Sequence, residues 1–203
     1  MKNFTTAYRL ASEFIENPYW LRYWRKPEDL FKSMGWIVIP YKKSEQKELT
    51  NEAYSSYKKG KFFILYSCEN YKTRTNYNFH HESGHIIAAH PIKYGNILCK
   101  SSQNTEKRFL EEEATIIGRN IFLPAYVIKY ILKKTEDNED NIEVVKKYFQ
   151  EKYTLSQEYI NVRFEYLELD LKKMTYPQNI EIEARREYLL FTLWFLSKNN
   201  KIA

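Results

Sequence analysis

All four histidines of the chain, His80, His81, His85 and His90, fall within eleven residues of one segment, NFHHESGHIIAAHP. No other feature constrains the fold as much. His81, Glu82 and His85 form an H-E-x-x-H pattern. On a helix, residues i and i+4 lie one turn apart on one face, so both imidazoles can address a common atom. The surrounding stretch TRTNYNFHHESGHIIAAHP reads as helical, with Thr73, Thr75 and Asn76 as candidate N-caps. Pro91 disfavours helical geometry at His90.

Neutral imidazole nitrogen is a good Zn²⁺ ligand, at roughly 2.0–2.1 Å. Glu82 stands one step around the helix, where it reaches a water on the metal rather than the metal itself. As general base it takes a proton from that water, whose pKa the metal lowers to about 7. The activated water attacks a carbonyl, and Glu82 passes the proton to the leaving amine.

Two histidines make a weak site, so a third protein ligand is expected, with one position left for water. The run Glu111, Glu112, Glu113 offers three candidates in TEKRFLEEEATIIGRNIFLP. There Leu110, Ala114, Ile117 and Ile121 make an amphipathic helical stripe. Glu111 shares its face with the small residues Ala114, Thr115 and Gly118, which permits close approach of the motif helix, so Glu111 is the expected ligand. Glu112 and Glu113 read as a solvated acidic first turn. His80 faces away from the His81/His85 pair and reads as an ordinary partly buried histidine. His90 falls on a stripe with Phe79, Ser83 and Ile86, which suggests a helix-end role.

Elsewhere, TTAYRLASEFIE and KPEDLFKSMG read as short helices, the second stopped by Gly35. WIVIPY and KFFILYSC read as strands, with room for a turn and another short strand in the polar stretch between them. Pro124 ends the glutamate helix, and AYVIKYILKK follows as another. The acidic TEDNEDN marks the expected boundary between residues 1–135 and a helical region, 136–203. In that region YTLSQEYINVRFEYL suggests two helices joined by a tight turn. Thr154 to Gln157 fits a capping box, and Ser156 is the competing N-cap. A last helix is expected over Glu181 to Lys198.

Apolar residues are 43% of the chain, enough for a substantial core. The net charge of +6 is spread without a dense Lys/Arg block, and so favours a solvated basic surface over a nucleic-acid groove. Cys68 and Cys99 match neither a disulfide framework nor a zinc-binding pair. The opening residues hold no apolar signal core. The strongest apolar run, Tyr188 to Leu196, is far short of the ~20 residues that span a bilayer. A cytoplasmic protein without a membrane segment is expected.

Four blocks in order resemble the ImmA/IrrE-type zinc metallopeptidases, gluzincin-like relatives of the thermolysin-like zincins, over roughly Phe31 to Leu169. DLFKSMGWIVIPY resembles the family's opening helix, glycine and strand. TRTNYNFHHESGH is similar to its R-x-R-F-T-x-A-H-E-x-G-H segment. EEEATIIGRNIFLP resembles its E-x-x-A-N-x-F-A-x-x-L-L-x-P helix, in which the first glutamate, here Glu111, is the third ligand. VVKKYFQEKYTLSQEYINVRFEYL is similar to the downstream helix and R-x-x-x-L segment. Thr115 stands where the family has Asn or Asp, and its hydroxyl can accept a hydrogen bond from the first zinc histidine.

The resemblance implies an α+β fold, with a zincin-like domain followed by a helix-turn-helix-like C-terminal part. The zincin-like domain would hold a small mixed sheet, the H-E-x-x-H helix and the glutamate helix. It implies Zn²⁺ as cofactor, His81, His85 and Glu111 as ligands, and Glu82 as catalytic base. It also implies a site-specific endopeptidase whose substrate is a helix-turn-helix repressor. The competing reading is a DNA- or protein-binding regulatory module with a vestigial or structural metal. In that reading the helix near Gln157 would present Gln157, Glu158, Asn161 and Arg163 to DNA. That is a mixed set with two acids nearby, which weighs against phosphate contact.

Overall fold

The computed structural model describes residues 4–42, 53–95, 97–98, 105–136 and 139–199. The fold is mixed α+β, and the chain divides into two compact units, 1–122 and 123–203. The first opens with three short helices, α1 (Thr5–Ile15), α2 (Pro18–Tyr23) and α3 (Pro27–Ser33). Gly35, at φ +72°, then ends α3 as the glycine expected there. The Trp36 amide donates to Phe31 O (2.9 Å) and the Gly35 amide to Lys32 O (3.1 Å). This is the Schellman pattern, completed by the Trp36 ring stacked on Phe31. It aims the chain directly into β1 (Ile37–Tyr41).

The strands β2 (Ala53–Lys58) and β3 (Lys61–Ser67) form a hairpin closed by Lys59 and Gly60, both at positive φ. Such a two-residue turn matches the twist of the paired strands. With β4 (Ile97–Leu98) the sheet runs β1-β3-β2-β4; β1 is parallel to β3, and β2 is antiparallel to both neighbours. Three helices complete the unit: α4 (Lys72–Ile87), α5 (His90–Tyr94) and α6 (Thr105–Phe122). α4 lies between β2 and α6. Its Phe79 meets Phe31 edge-on at 5.5 Å, and Phe31 meets Phe122 at 6.1 Å. Trp20 and Trp24 are buried beside each other, and Trp20 Nε1 donates to Ile121 O (2.7 Å). That bond satisfies a carbonyl in the last turn of α6, where helical partners run out.

The second unit is helical: α7 (Ala125–Lys134), α8 (Glu139–Tyr153), α9 (Gln157–Glu165), α10 (Leu167–Lys173) and α11 (Ile180–Asn199). The division at Phe122/Leu123 falls earlier than the 135/136 boundary expected from the acidic segment. The reason is the apolar face of α7: Val127, Ile128, Ile131 and Leu132 are buried, and α7 packs on α11 and α10. The acidic stretch thus joins two helices of one unit. At α9, Ser156 is the cap, its Oγ accepting from the Tyr159 amide at 3.1 Å, while Thr154 takes φ +50°. Arg163 and Asp170 form a fully buried ion pair at 2.7 Å, and Arg163 Nε donates to Leu123 O. Within the Tyr188 to Leu196 stretch, Phe191 is buried and Leu189, Leu193 and Leu196 are exposed. Among the described residues, no single helix is long and apolar enough to cross a membrane.

Candidate metal centre

α4 begins at Lys72 after Tyr71, with no side-chain cap, so none of the three expected N-caps takes that role. From Asn78 to Ile86 every residue is buried. A helix so enclosed needs close neighbours, and two glycines supply the room. A Cβ on Gly84 would stand 2.0 Å from Ala114 O, and one on Gly118 would stand 2.2 Å from His80 O. Each helix therefore presents a glycine to the backbone of the other, and α4 and α6 cross in near contact. The glycine inside H-E-S-G-H is a packing requirement of this crossing.

The crossing brings Glu111 of α6 to the histidines of α4. Glu111 Oε2 lies 2.9 Å from His81 Nε2 and 3.6 Å from His85 Nε2, and the two Nε2 atoms are 3.1 Å apart. A tetrahedral ion with ligands at 2.0–2.1 Å would have ligand–ligand edges of roughly 3.3 Å. The observed triangle fits that size. His81, His85 and Glu111 can thus hold a metal ion. Glu111 Oε1 is buried and meets no hydrogen-bond donor among the described residues, which suits a carboxylate turned toward a cation.

Both imidazoles are anchored from behind. Thr115 Oγ1 donates to Glu111 O (2.8 Å) and lies 3.2 Å from His81 Nδ1. The hydroxyl proton is engaged, so Oγ1 accepts from His81 Nδ1–H, and Nε2 is the ring atom turned toward Glu111 and His85. Tyr77 stacks on the His81 ring, and the Arg74 guanidinium lies over Tyr77 at 4.9 Å. His85 Nδ1 is 2.8 Å from His90 Nδ1, and His90 Nε2 is 2.9 Å from Glu113 Oε2.

Glu113 and His90 depart from the expectation. Glu113 is buried at 8% exposure, not solvated, and His90, at the first position of α5, also touches a candidate ligand. The cause is local: α4 ends at Ile87, and Ala89 takes a left-handed φ of +57°, which turns His90 back toward His85. A residue two places before a proline gives no cue to that conformation. The nearer cue was the histidine itself, polar and placed just after a buried helix. Glu112, by contrast, pairs at 3.1 Å with the exposed Arg108.

Electrostatics follow the geometry. Burial opposes ionisation of Glu111, yet the adjoining His81 and His85 imidazoles outweigh it and hold the carboxyl well below the usual range. Burial lowers the His81 pKa, but the hydrogen bond to Glu111 and the charges of Glu82 and Glu111 reverse this and leave it raised. For His85 burial prevails and the value is lowered. Glu82 is almost wholly enclosed, at 1% exposure, and its charge acts on both imidazoles. His80 is the packing histidine: its ring lies flat on Phe122 at 4.4 Å, and burial drops its pKa to about 3, which keeps it neutral. No protein-family model, curated protein or solved structure matches the chain.

Proposed function

We propose that the chain is a zinc-dependent, site-specific endopeptidase of the ImmA/IrrE type, acting in the cytoplasm on a helix-turn-helix repressor. One observation carries the reading: His81, His85 and Glu111 converge within ligand distance, and Glu82 is enclosed on the same helix. A structural metal site normally closes its fourth position with another protein ligand and needs no base. Here, among the described residues, three side chains converge, beside a buried carboxylate. The first unit is read as a zincin-like domain, since its motif helix packs on a small sheet and crosses a glutamate-bearing helix. The second is read as helix-turn-helix-like about the α8–α9 turn.

Zn²⁺ at this point would act as a Lewis acid, polarising a substrate carbonyl and lowering the pKa of water to about 7. His81 and His85 direct Nε2 inward because Thr115 and His90 occupy their Nδ1 sides. Glu111 contributes negative charge to the ligand set. Glu82 takes a proton from the attacking water on its carboxylate and returns it to the departing amine nitrogen. The enclosure of Glu82 keeps bulk water from competing for that proton.

The alternative, a DNA-binding module, loses support at Arg163. This most basic member of the proposed contact set is buried in an ion pair with Asp170, and Gln157 is bonded to Asn161 at 3.1 Å.

The decisive experiment is a substrate trap. Glu82→Gln should retain the ligands and lose the base, so it should hold a substrate that the wild type cuts. Proteins retained from lysate by the variant are identified by mass spectrometry and offered to zinc-loaded wild type. Cleavage of a retained helix-turn-helix protein supports the reading. Retention of DNA, or of partners that the wild type leaves whole, would overturn it.

A further inference from the structure

We propose that Glu113 and His90 form a buried positioning relay that fixes the orientation and tautomer of His85, and thereby sets metal affinity at the centre. The inference rests on the metal-centre reading above. Three groups stand in series: Glu113 Oε2, 2.9 Å, the two nitrogens of His90, 2.8 Å, and His85 Nδ1. All three residues are buried, with His85 at 0%, His90 at 1% and Glu113 at 8% exposure.

Proton counting gives the relay a direction. A carboxylate only accepts, so His90 Nε2 carries a proton and donates it to Glu113. Neutral His90 then has a bare Nδ1, which can only accept. His85 Nδ1 must therefore carry the proton, which leaves His85 Nε2 bare and turned toward His81 and Glu111. With one proton on each ring, this arrangement satisfies every bond in the chain. The Glu113 charge pulls on the His90 proton and makes His90 Nδ1 a stronger acceptor, which tightens its hold on His85.

The two ligand histidines are thus held unequally. His81 leans on a neutral hydroxyl at 3.2 Å, whereas His85 leans on an imidazole backed by a carboxylate. α6 grips the centre twice, directly through Glu111 and indirectly through Glu113. The left-handed Ala89 lets the chain deliver His90 between them. A residue that merely filled space would need neither the buried charge nor this alignment, because burying a carboxylate away from a partner is costly.

The test uses the full chain loaded with Co²⁺ or Zn²⁺. Affinity is read by competition with a chromophoric chelator, and geometry from the visible Co²⁺ spectrum. Glu113→Gln should weaken metal binding by about 10–100-fold and alter the Co²⁺ spectrum. His90→Gln should do the same, and the double variant should lose little more than either single one, as expected for groups in series. Glu112→Gln, on the exposed neighbour, should bind as the wild type does. A second measurement needs no variant: imidazole ¹⁵N shifts of the zinc-loaded wild type should show His90 protonated at Nε2 and bare at Nδ1. A wild type that binds no metal overturns the metal-centre reading and the relay with it. A wild type that binds metal, with Glu113→Gln binding equally tightly and an unchanged spectrum, overturns the relay alone. So does a His90 found protonated at Nδ1.

Discussion

Gly84 lies so close to Ala114 that a Cβ on it would stand 2.0 Å from the Ala114 carbonyl oxygen. The obstacle is backbone in the middle of a helix, which cannot swing aside as a side chain could. Gly84→Ala must therefore push α4 and α6 apart or tilt them, and Glu111 moves with α6. The expected outcome is destabilisation at the upper end of the about 1–3 kcal/mol seen on overpacking, or beyond it, together with weakened metal binding. Denaturant unfolding and metal stoichiometry check both parts. A Gly84→Ala chain of unchanged stability and affinity would show that the helices are not in contact there.

Thr115 tests the other anchor. Thr115→Val keeps the shape and removes the oxygen that accepts from His81 Nδ1, so metal affinity should fall by about 10-fold, at the low end for such supporting partners. Thr115→Ser should preserve it, and Thr115→Asp should match or exceed the wild type because a carboxylate accepts more strongly. Chelator competition ranks the four proteins. The order Val equal to wild type would remove Thr115 from the site.

In the second unit, Arg163→Met should cost about 3–5 kcal/mol, because it leaves Asp170 charged and buried without its partner. Replacing both residues with apolar ones should recover much of the loss. Chemical denaturation of the single and double variants decides it: a single variant that loses under about 1 kcal/mol would mean that solvent reaches the pair.

Tyr176 carries a pH signature. Burial pushes its phenol up to about 12, above the 10.0 of an ordinary tyrosine, and its hydroxyl is shielded from solvent. Above pH 10 an unfolded chain releases this proton before the folded one does. The contribution is therefore whole below pH 10 and drains away as pH rises toward 12. Tyr176→Phe cannot ionise, so its stability should decline less steeply between pH 10 and pH 12 than that of the wild type. Parallel slopes in that window would refute the assignment.

The long elements were legible because their signals were redundant. For α6, an apolar stripe and a following proline agree, and the strands β1 and β3 are rich in branched and aromatic residues. The final helix was expected at Glu181 to Lys198 and runs Ile180–Asn199. The convergence of His81, His85 and Glu111 was legible because one helical turn and one face of small residues determine it. Shorter features were not. α2 escaped notice although Asn17 caps it and Pro18 opens it, since six residues carry too little periodicity. The break at Tyr166 that separates α9 from α10 has no glycine or proline to mark it. The joining of α7 to the C-terminal unit depends on which partner covers its apolar face, and a sequence stripe does not name its partner. Glu113 and His90 were missed for a related reason: one left-handed residue sets their meeting, across a separation of 23 positions.

The indoles are divided unevenly between the two units. Trp20, Trp24 and Trp36 lie in the first, all at 9% exposure or less, whereas Trp194 belongs to the second and bonds through Nε1 to the exposed side of Glu151. Emission from the enclosed three is expected toward the blue, and that from Trp194 toward the red. A single protein thus holds two optical reporters, and replacing Trp194 with Phe silences one of them. The melting of each unit can then be followed by colour, without attaching any dye to the chain.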